Sequence, residues 1–561
     1  MLTRQLKAPW PHAPKAVRQT EEKALADTTI TASGGDRTNG DEPQKGPATL
    51  PSLGVAILPI VFTLGILALQ LFYYGDFTPH IPLALGLAFT GLLGVLRGQT
   101  WMDIRAGVFH VIHVSMPSLA VLIVVGMLIG VWIGAGTVPT LIYYGLTLLS
   151  PAVFLPAAVV LCSVVSVSLG TSWGTVGTIG LALMGIGAGF GIPPVWTAGA
   201  VVSGSFFGDK ISPLSDTTNL APAVTGTTVF DHIRNMLPTT VPAMLIALLI
   251  YAGAGYLLMQ DGQTSFEDIN LITTQLDHDF RLGLVPLLPA LLVLVLAVTK
   301  KPPLPALFSG VLAGGAVAIL YQGAGLHDVF ALAQDGYEKT TGVEQIDSLL
   351  NSGGMQSMMW TISLMLIALG FGGALERTGC LESIINAIVA RVKSFAAVQI
   401  SAIGASFTTN MVAGDPYISI ALPGRMFAPL YRGMGYSTLN LSRALEEGGT
   451  MMSPLIPWNA GGAFVISALG LGVLDGNLRD LMYIPLSFAC WLSPLIGCIY
   501  ALTGLFSPRA SEDERGRWDA ENHEVLDLGD TALGSATQET EAAETGAETV
   551  AEDVGSRQRP H

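Results

Sequence analysis

The sequence GVAILPIVFTLGILALQLFYY occupies residues 54–74 and contains no charged side chain. A helix that crosses a lipid bilayer needs about 20 predominantly apolar residues, so this stretch alone can span a membrane. Comparable apolar stretches recur along the 561-residue chain, clearly at 81–97, 116–135, 152–170, 238–259, 281–299, 303–322, 358–375 and 480–506, and less clearly at 175–208, 382–391, 396–422 and 454–475. We therefore predict an all-α polytopic membrane protein with about 10–12 transmembrane helices, some of them broken.

The composition supports a membrane protein and excludes several soluble classes. Half of the residues are hydrophobic and only 12% are charged, whereas about a quarter of the residues in an ordinary globular domain are charged. Residues 509–561 contain 14 acidic and 5 basic side chains, which is −9 of the net charge of −15. Such an acidic chain does not bind nucleic acid as a whole. The four cysteines do not have the spacing of metal ligands, so we predict that they are small buried side chains. They are Cys162, Cys380, Cys490 and Cys498.

The two ends of the chain differ from its body. Residues 1–50 are mostly polar, and residues 508–561 repeat Glu, Ala and Thr, so neither end can bury an apolar core. We predict that both ends are disordered and lie in the cytoplasm. Between them we predict a first transmembrane repeat at 51–260, an external loop at 261–280 and a second transmembrane repeat at 281–507.

Basic residues indicate which loops face the cytoplasm, because Lys and Arg accumulate on that side. They follow several of the apolar stretches, for example at Arg97, Lys301 and Arg377. The loop at 260–280 has no basic residue, and the loop at 323–357 has only Lys339. The first half therefore begins inside and ends outside, and the second half does the reverse. Each half must then contain an odd number of spans.

The two halves also share short patterns in the same order. The offsets between the paired patterns are 240, 238 and 241 residues, for Gly130–Thr140 with Gly370–Cys380, Ser168–Thr175 with Ser406–Ala413, and Ser212-Pro213-Leu214 with Ser453-Pro454-Leu455. Three matches at nearly one offset indicate an internal repeat. Because each half has an odd number of spans, the repeats have opposite orientation. Inverted repeats with a site at their interface are typical of secondary transporters.

The segment GDKISPLSDTTNLA, at 208–221, places two carboxylates, a lysine and several hydroxyls between apolar flanks. A charge at membrane depth costs at least about 2.5–3.5 kcal/mol, so it normally faces a partner or a water-filled cavity. Ser before Pro is a helix-start pattern, so we predict that Ser212 and Ser453 begin half-helices after broken segments. On such a helix Asp216 shares one face with Ser212 and Asn219. Carboxylate, hydroxyl and amide oxygens together suit a hard cation.

A second interpretation of this segment stays open. In it, Asp209 and Lys210 form an ion pair in a loop, and Ser212 and Asp216 only cap helices. The two interpretations are compatible at the end of a broken helix, because a side chain that caps the helix there can also bind an ion.

Four long motifs follow one another along the apolar body of the chain. They are GTSWGTVGTIGLALMGIG at 170–187, GDKISPLSDTTNLA at 208–221, GDPYISIALPGRMF at 414–427 and LSRALEEGGTMMSPLIPWN at 441–459. These motifs resemble those of NhaC-type sodium/proton antiporters, a family of the broad ion-transporter superfamily. The resemblance covers residues 50–506 and does not extend to either end. One departure is the run from Glu447 to Met452, where the family pattern implies more polar residues.

The resemblance implies a Na⁺ site shared by the two broken regions. The polar positions that match the family motifs are Thr171, Ser172, Asp209, Ser212, Asp216, Thr217 and Asn219 in the first half and Thr409, Asn410, Asp415, Glu446, Ser453 and Asn459 in the second. Among them, the strongest candidates for Na⁺ ligands are Asp209, Asp216, Ser212 and Asn219. Two alternatives stay open for the second half: Asn410 as a helix-packing amide, and Glu446 as a partner of Arg443 at the membrane surface.

The function that this resemblance implies is exchange of Na⁺ for H⁺ by alternating access, driven by the proton gradient. No enzymatic activity and no cofactor are expected. The expected partners are the lipid bilayer, Na⁺ and H⁺, with a homodimer as the candidate assembly and no nucleic acid. The expected location is the cytoplasmic (inner) membrane, with multiple spans and both termini in the cytoplasm.

Two other functions stay open. Close relatives of the family exchange organic acids such as malate and lactate, and a carboxylate substrate would need Lys210 or the helix starts at Ser212 and Ser453. A membrane-embedded serine hydrolase is the alternative from another class, and Lys210 near Ser212 is the only pair that supports it.

Overall fold

A computed structural model describes residues 50–260, 266–299, 301–339, 347, 350–473 and 476–518. Within these residues the protein consists of α-helices with short 3₁₀ and π turns, and an isolated β-bridge joins Tyr436 to Arg509. The predicted all-α membrane fold is confirmed. The predicted disordered leader at residues 1–50 lies outside the described residues except for Leu50.

The first half contains ten α-helices among the described residues. They are α1 Leu53–Leu69, α2 His80–Leu96, α3 Trp101–Gly134, α4 Thr137–Leu148, α5 Pro151–Leu169, α6 Ser172–Thr175, α7 Leu181–Gly189, α8 Pro194–Ile211, α9 Asp216–Thr225 and α10 Val229–Gln260. Two π turns extend this set, Gln70–Tyr74 after α1 and Val176–Gly180 between α6 and α7.

The second half contains twelve named α-helices among the described residues. They are α11 Phe266–Asp279, α12 Leu288–Val298, α13 Pro303–Val317, α14 Leu326–Gln334, α15 Met359–Arg377, α16 Cys380–Val389, α17 Phe395–Ala413, α18 Pro416–Gly433, α19 Leu439–Gly448, α20 Ala460–Ala468, α21 Tyr483–Leu486 and α22 Phe488–Thr503. The shorter turns are the 3₁₀ segments Val285–Leu287, Met355–Met358, Ser453–Leu455 and Leu478–Met482 and the π turn Ala318–Gln322.

Seven helical spans of the described residues are long and apolar enough to cross a membrane. A bent pair, Leu478–Leu486 with Phe488–Thr503, forms an eighth with an angle of 47° at the break. Three shorter apolar helices, α2, α16 and the segment Val285–Val298, add to these. The stretches 175–208 and 396–422 are both broken, the first by Gly191 to Pro193 and the second at Gly414, because these residues end one helix and start another.

The inverted repeat is visible in α3 and α15. Two residues after the end of each helix lies a glycine in the left-handed conformation, Gly136 (φ 76°) and Gly379 (φ 73°), and a short helix begins at the next residue. The two helices run antiparallel, because Gly107 lies against Gly373 whereas Gly126 lies against Gly354, with a 2.8 Å bond from the Gly354 N–H to the Gly126 carbonyl. Equivalent helices that pack antiparallel are what repeats of opposite orientation require.

A second match between the halves is the packing of α5 on α8 and of α17 on α19. The Ser166 hydroxyl donates to the carbonyl of Ser205 at 2.5 Å, and the Ser406 hydroxyl donates to the carbonyl of Leu445 at 3.1 Å. Both pairs are separated by an offset of 240 residues. The predicted pairing of Ser168 with Ser406 differs from this match by two residues. The helices α5 and α17 both have 19 residues, and the glycines that follow them, Gly170 and Gly414, are 244 residues apart.

The predicted tail at 508–561 differs from the expectation at its start. Residues 508–518 contact the junction between α18 and α19, and residues 512–518 are helical. The tail from residue 519 onward lies outside the described residues. In the predicted external loop at 261–280, the described residues form α11.

We expect Gly208→Ala and Gly448→Ala each to destabilise the protein, because both glycines sit where two helices touch. A Cβ atom at Gly208 would lie 2.5 Å from the Ser163 carbonyl oxygen, and one at Gly448 would lie 2.3 Å from that of Ile403. Overpacking of this kind costs about 1–3 kcal/mol. The matched control is Gly404→Ala on α17, where no atom lies within 4 Å of the new methyl group. The midpoint of thermal unfolding in detergent should fall for the first two variants only, and equal midpoints for all three would contradict the packing.

Candidate functional site

Two chain breaks position the site. Gly170 and Gly414 end α5 and α17 in the left-handed conformation, with φ of 67° and 69°. The next residues, Thr171 and Asp415, are extended and cap the following helices with their side chains. A Cβ at Gly170 would lie 2.5 Å from the Cβ of Leu214, so the close approach of the chain also requires glycine.

A cavity of about 180 Å³ lies where the two breaks meet. Its polar lining comes from both repeats, with Ser118, Thr171, Ser172, Asp209, Ser215, Asp216 and Thr217 from the first and Tyr417, Thr450 and Ser453 from the second. Trp173, Pro302 and Leu304 are among its apolar walls. No lysine, arginine or histidine lines it in the part of the chain that the structure describes.

Asp209 is the buried carboxylate of this cavity. It lies in the last turn of α8, and its Oδ2 accepts a hydrogen bond from the Ser172 hydroxyl at 2.7 Å. The Thr218 hydroxyl bonds to the backbone carbonyls of Asp209 and Lys210 at 3.1 and 3.0 Å, which fixes the end of α8 against α9. The structure therefore brings Thr171, Ser172 and Asp209 to one wall, as the sequence predicted.

Asp216 is the accessible carboxylate of the cavity. It is the first residue of α9, and the cap of that helix is Ser215, whose hydroxyl accepts from the Thr218 N–H at 3.4 Å. The Tyr417 hydroxyl is 3.5 Å from Asp216 Oδ2, the outer limit of a hydrogen bond. The Thr217 hydroxyl lies 3.2 Å from that of Ser215. An accessible carboxylate beside neutral hydroxyls can bind a cation.

Ser212 is not on the helix that carries Asp216, so the predicted helix face shared by these two residues is wrong, and neither Ser212 nor Asn219 lines the cavity. Ser212 ends α8, and its hydroxyl donates to the Val167 carbonyl at 2.7 Å. The Ser215 N–H bonds to the Ser212 carbonyl at 3.2 Å, so Pro213 occupies a turn and does not begin a helix. The Asn219 amide donates to the carbonyls of Pro213 and Ser215 and holds this turn.

The polar residues of the second break mostly bind one another. The Asn459 amide donates to Asn410 Oδ1 at 2.6 Å, and Asn459 Oδ1 accepts from the Ser453 hydroxyl at 2.5 Å. Asn459 is the cap of α20, so the half-helix begins at Ala460 and not at Ser453, which starts only a 3₁₀ turn. Asn410 donates to the Gly449 carbonyl at 2.6 Å, as a helix-packing amide does. Of these residues only Ser453 lines the cavity.

Asp415 and Thr409 also lie outside the cavity lining. Asp415 Oδ1 accepts from the N–H groups of Tyr417 and Ile418 at 2.7 and 3.1 Å, and its Oδ2 accepts from the Ser115 hydroxyl at 2.9 Å. Its oxygens are therefore used to cap α18. Thr409 is buried in α17. The role of an ion ligand at these two positions stays a prediction.

Glu446 is fully buried and is not at the membrane surface with Arg443. Its polar neighbours are Thr217 and Thr450 of the cavity wall and the Lys210 ammonium. Arg443 instead donates to the carbonyl of Phe506 at 2.9 Å. Glu446 is therefore buried next to residues that line the cavity and near the Lys210 ammonium.

Lys210 points away from the cavity, so it does not pair with Asp209. Its ammonium donates to the Ser493 hydroxyl at 2.9 Å and lies 4.0 Å from Glu447 Oε1. Glu447 is fully buried, and its carboxylate contacts Gly497. A Cβ atom added at Gly497 would clash with Glu447 Oε2. The alternative interpretation of a loop ion pair between neighbouring residues is therefore wrong.

The sequence analysis missed four polar residues of the lining, Ser118, Ser215, Tyr417 and Thr450. Tyr417 follows Gly414 by three residues, as Trp173 follows Gly170, so the repeat pattern itself could have identified it. Ser118 is beside Pro117 in the middle of α3 and gives no signal in the sequence. Only packing brings it to the cavity.

Comparisons with known proteins identify the family of the chain. The model of a family described as the Na⁺/H⁺ antiporter family matches residues 49–218 and 204–505. The chain is 39% identical over 458 residues to a Na⁺/H⁺ antiporter NhaC of Alkalihalophilus pseudofirmus, covering 82% of this chain and 95% of that protein. It is 38% identical over 461 residues to an arginine/ornithine antiporter ArcD of Halobacterium salinarum, covering 82% and 93%. It is 34% identical over 454 residues to a malate-2H⁺/Na⁺-lactate antiporter of Bacillus subtilis, covering 80% and 95%.

We expect Ser172→Ala to weaken ion binding without unfolding the protein, because it removes the hydrogen bond that orients Asp209. The half-saturating cation concentration should rise about tenfold, the effect of one hydrogen bond to a charged group. Ser168→Ala is the matched control, because that hydroxyl bonds only to the Val164 carbonyl of its own helix. Cation-dependent transport in vesicles gives both values, and equal values would show that Ser172 does not orient the site.

Proposed function

Because the chain belongs to the Na⁺/H⁺ antiporter family, we propose that it exchanges Na⁺ for H⁺ across the cytoplasmic membrane at this cavity. The observation that carries the proposal is the pair of carboxylates, Asp209 and Asp216, in one cavity between the two inverted repeats. A carboxylate binds either Na⁺ or H⁺, so the two ions compete for one site. Exchange follows if the occupied site permits alternating access and the empty charged site does not.

The chemistry of the lining favours a hard cation. Asp209 and Asp216 supply charge, and the hydroxyls of Thr171, Thr217 and Ser453 are neutral oxygen ligands nearby. A cavity of about 180 Å³ is larger than a bare Na⁺ ion needs. The ion therefore keeps part of its water shell, which contributes the oxygens that the protein does not supply. Glu446, buried beside Thr450, is a further carboxyl group close to this site.

The same lining argues against an organic acid as the substrate. A carboxylate substrate needs a cationic partner, and the described lining has two carboxylates and no basic residue. Lys210, the cation nearest the main motif, is bound to Ser493 on the other side of α8. The arginine/ornithine and malate/lactate relatives bring two other substrate classes into consideration, and each of these substrates carries a carboxylate. Malate and lactate are anions, so the anionic cavity supports Na⁺ over them. Arginine and ornithine also carry cationic groups, so the absence of a basic residue from the described lining opposes only the binding of their carboxylate.

The repeat architecture supports alternating access as the transport mechanism. The antiparallel helices α3 and α15 and the two chain breaks are related by the internal repeat, so exchange of their conformations would open the cavity to the opposite side. We infer that both termini are cytoplasmic, because basic residues follow several of the apolar stretches, for example at Arg97 and Arg377, and Lys and Arg accumulate on the cytoplasmic side. Lipid, Na⁺ and H⁺ are the partners in this proposal, no cofactor or enzymatic step is needed, and a homodimer is the candidate assembly.

We expect Asp216→Asn to abolish coupled exchange while the protein still inserts, because an amide cannot trade H⁺ for Na⁺. Addition of Na⁺ to everted vesicles with a pH dye measures this exchange. Asp231→Asn is the matched control, because Asp231 is an exposed carboxylate near the start of α10 and outside the cavity lining. Exchange at the wild-type rate in Asp216→Asn would show that this carboxylate is only part of the helix start, and Asp209 alone would then carry the ion.

Uptake assays in proteoliposomes separate the proposed substrate from its alternatives. We expect an imposed proton gradient to drive accumulation of radiolabelled Na⁺, and neither malate, lactate nor arginine to accumulate or to compete with it. For malate and lactate the cause is the anionic lining, which repels these anions by Coulomb repulsion. For arginine the cause is that the described lining has no basic residue to pair with its carboxylate. Counterflow of labelled malate or arginine without Na⁺ movement would contradict the proposed function.

A further inference from the structure

We propose that Glu514, from the segment that follows the last helix, is a positioning residue for ion binding, because it caps α19 and so places the second-repeat wall of the cavity. The proposal rests on the proposed exchange of Na⁺. It assigns a part in transport to the C-terminal segment, which lies outside the four motifs of the transport site.

Residues 507–518 form a C-terminal clasp on the α18–α19 junction. The Ser437 N–H bonds to the Pro508 carbonyl and the Ala510 N–H to the Gly435 carbonyl, both at 3.1 Å. The Arg509 guanidinium stacks 3.7 Å from the centre of the Tyr436 ring. At the end of the clasp, Trp518 is buried under the guanidinium of Arg432.

Glu514 is the buried carboxylate of the clasp. Its Oε1 accepts three hydrogen bonds: from the Thr438 N–H at 2.9 Å, the Thr438 hydroxyl at 3.0 Å and the Ser437 hydroxyl at 3.1 Å. Thr438 is the cap residue of α19, and its own side chain makes no capping bond. A residue 76 positions away in the sequence therefore supplies the acceptor for the cap-residue N–H of α19, and the local Ser437 hydroxyl accepts from the next N–H, that of Leu439, at 3.2 Å. A negative charge at a helix N-terminus is stabilising.

The helix α19 connects this cap to the cavity. It has ten residues and is therefore about 15 Å long. Glu446 and Glu447 are in its last turn, and Thr450 and Ser453, directly beyond its end, line the cavity. Residues 440–448 are all buried, so the helix is held as a rigid body and cannot absorb a shift at its start. A displacement at Glu514 should move Thr450 and Ser453.

Two other contacts of α19 show how closely the clasp is joined to it. The Asn440 amide donates to the Pro508 carbonyl at 2.9 Å, and Arg443 donates to the Phe506 carbonyl at 2.9 Å. Phe506 is the non-glycine residue with positive φ (49°) among the described residues, a conformation that only surrounding contacts maintain. The chain is thus held in a costly turn at the point where the clasp meets the helix.

The test compares Glu514→Ala with Glu514→Gln in everted vesicles. We expect Glu514→Ala to raise the half-saturating Na⁺ concentration about three- to tenfold while the maximal rate changes little, because the acceptor of three hydrogen bonds at the start of α19 is lost. Glu514→Gln keeps an oxygen acceptor and should restore most of the wild-type value. The matched controls are Glu512→Ala and Asp513→Ala, since both side chains are exposed on the same segment. Should Glu514→Ala fail to accumulate, Glu514→Asp shortens the reach to Thr438 and should shift the constant in the same direction.

Each outcome decides the proposal. An unchanged half-saturating concentration in Glu514→Ala, or an equal shift in Glu512→Ala, overturns it. A Glu514→Gln variant as impaired as Glu514→Ala also overturns it, because the capping hydrogen bonds would not be the cause. A lower yield and unfolding midpoint with an unchanged Na⁺ constant would indicate a role in stability alone. If the wild-type protein itself exchanges no Na⁺, the proposed function is wrong. Exchange by the wild-type protein with no effect of Glu514→Ala contradicts only the role of Glu514, so the two results are distinguishable.

Discussion

A carboxylate inside a membrane protein persists only where donors, a cation or a proton satisfy its oxygens. Asp209 meets this constraint through a hydrogen bond from the Ser172 hydroxyl. Ser172 is the first residue of α6, directly after the chain break at Gly170. The contact requires the start of α6 and the end of α8 to meet. That in turn requires the left-handed turn at Gly170, where the backbone passes Leu214 too closely for any side chain. The cavity follows from this arrangement.

The second repeat copies the backbone of this break and changes its chemistry. Gly414 turns the chain as Gly170 does. The carboxylate oxygens of Asp415, however, accept hydrogen bonds from N–H groups at the start of α18 and from the Ser115 hydroxyl. Both carboxylates of the cavity lining therefore come from the first repeat. The second repeat supplies Tyr417 and hydroxyls to the cavity and uses its amides for packing. Twofold symmetry of the fold thus produces a site whose charge is asymmetric.

Separation of charge across α8 keeps the cavity anionic. Asp209 and Lys210 are neighbours in sequence, and the helix directs them to opposite sides. On the far side Lys210 faces Glu447, and both are fully buried. A buried pair at 4.0 Å is expensive to desolvate and contributes little net stability. Its effect on the site is to hold a cation near the cavity without placing it among the ion ligands.

The sequence by itself determined the all-helical membrane class, and it predicted an inverted repeat and the region of the site. The length of the apolar stretches and the positions of the basic residues can be read from short segments of the sequence. The motif around Asp209 and Asp216 indicated polar groups at membrane depth. Tertiary structure alone decided which polar groups meet. The polar groups of Ser212 and Asn219 make hydrogen bonds in and around the turn at Pro213. Ser118, in the middle of α3, lines the cavity. Glu514 caps a helix whose cap residue lies 76 positions earlier in the sequence. Hydrogen bonds between residues of different helices depend on how those helices pack, and no local sequence pattern specifies this packing.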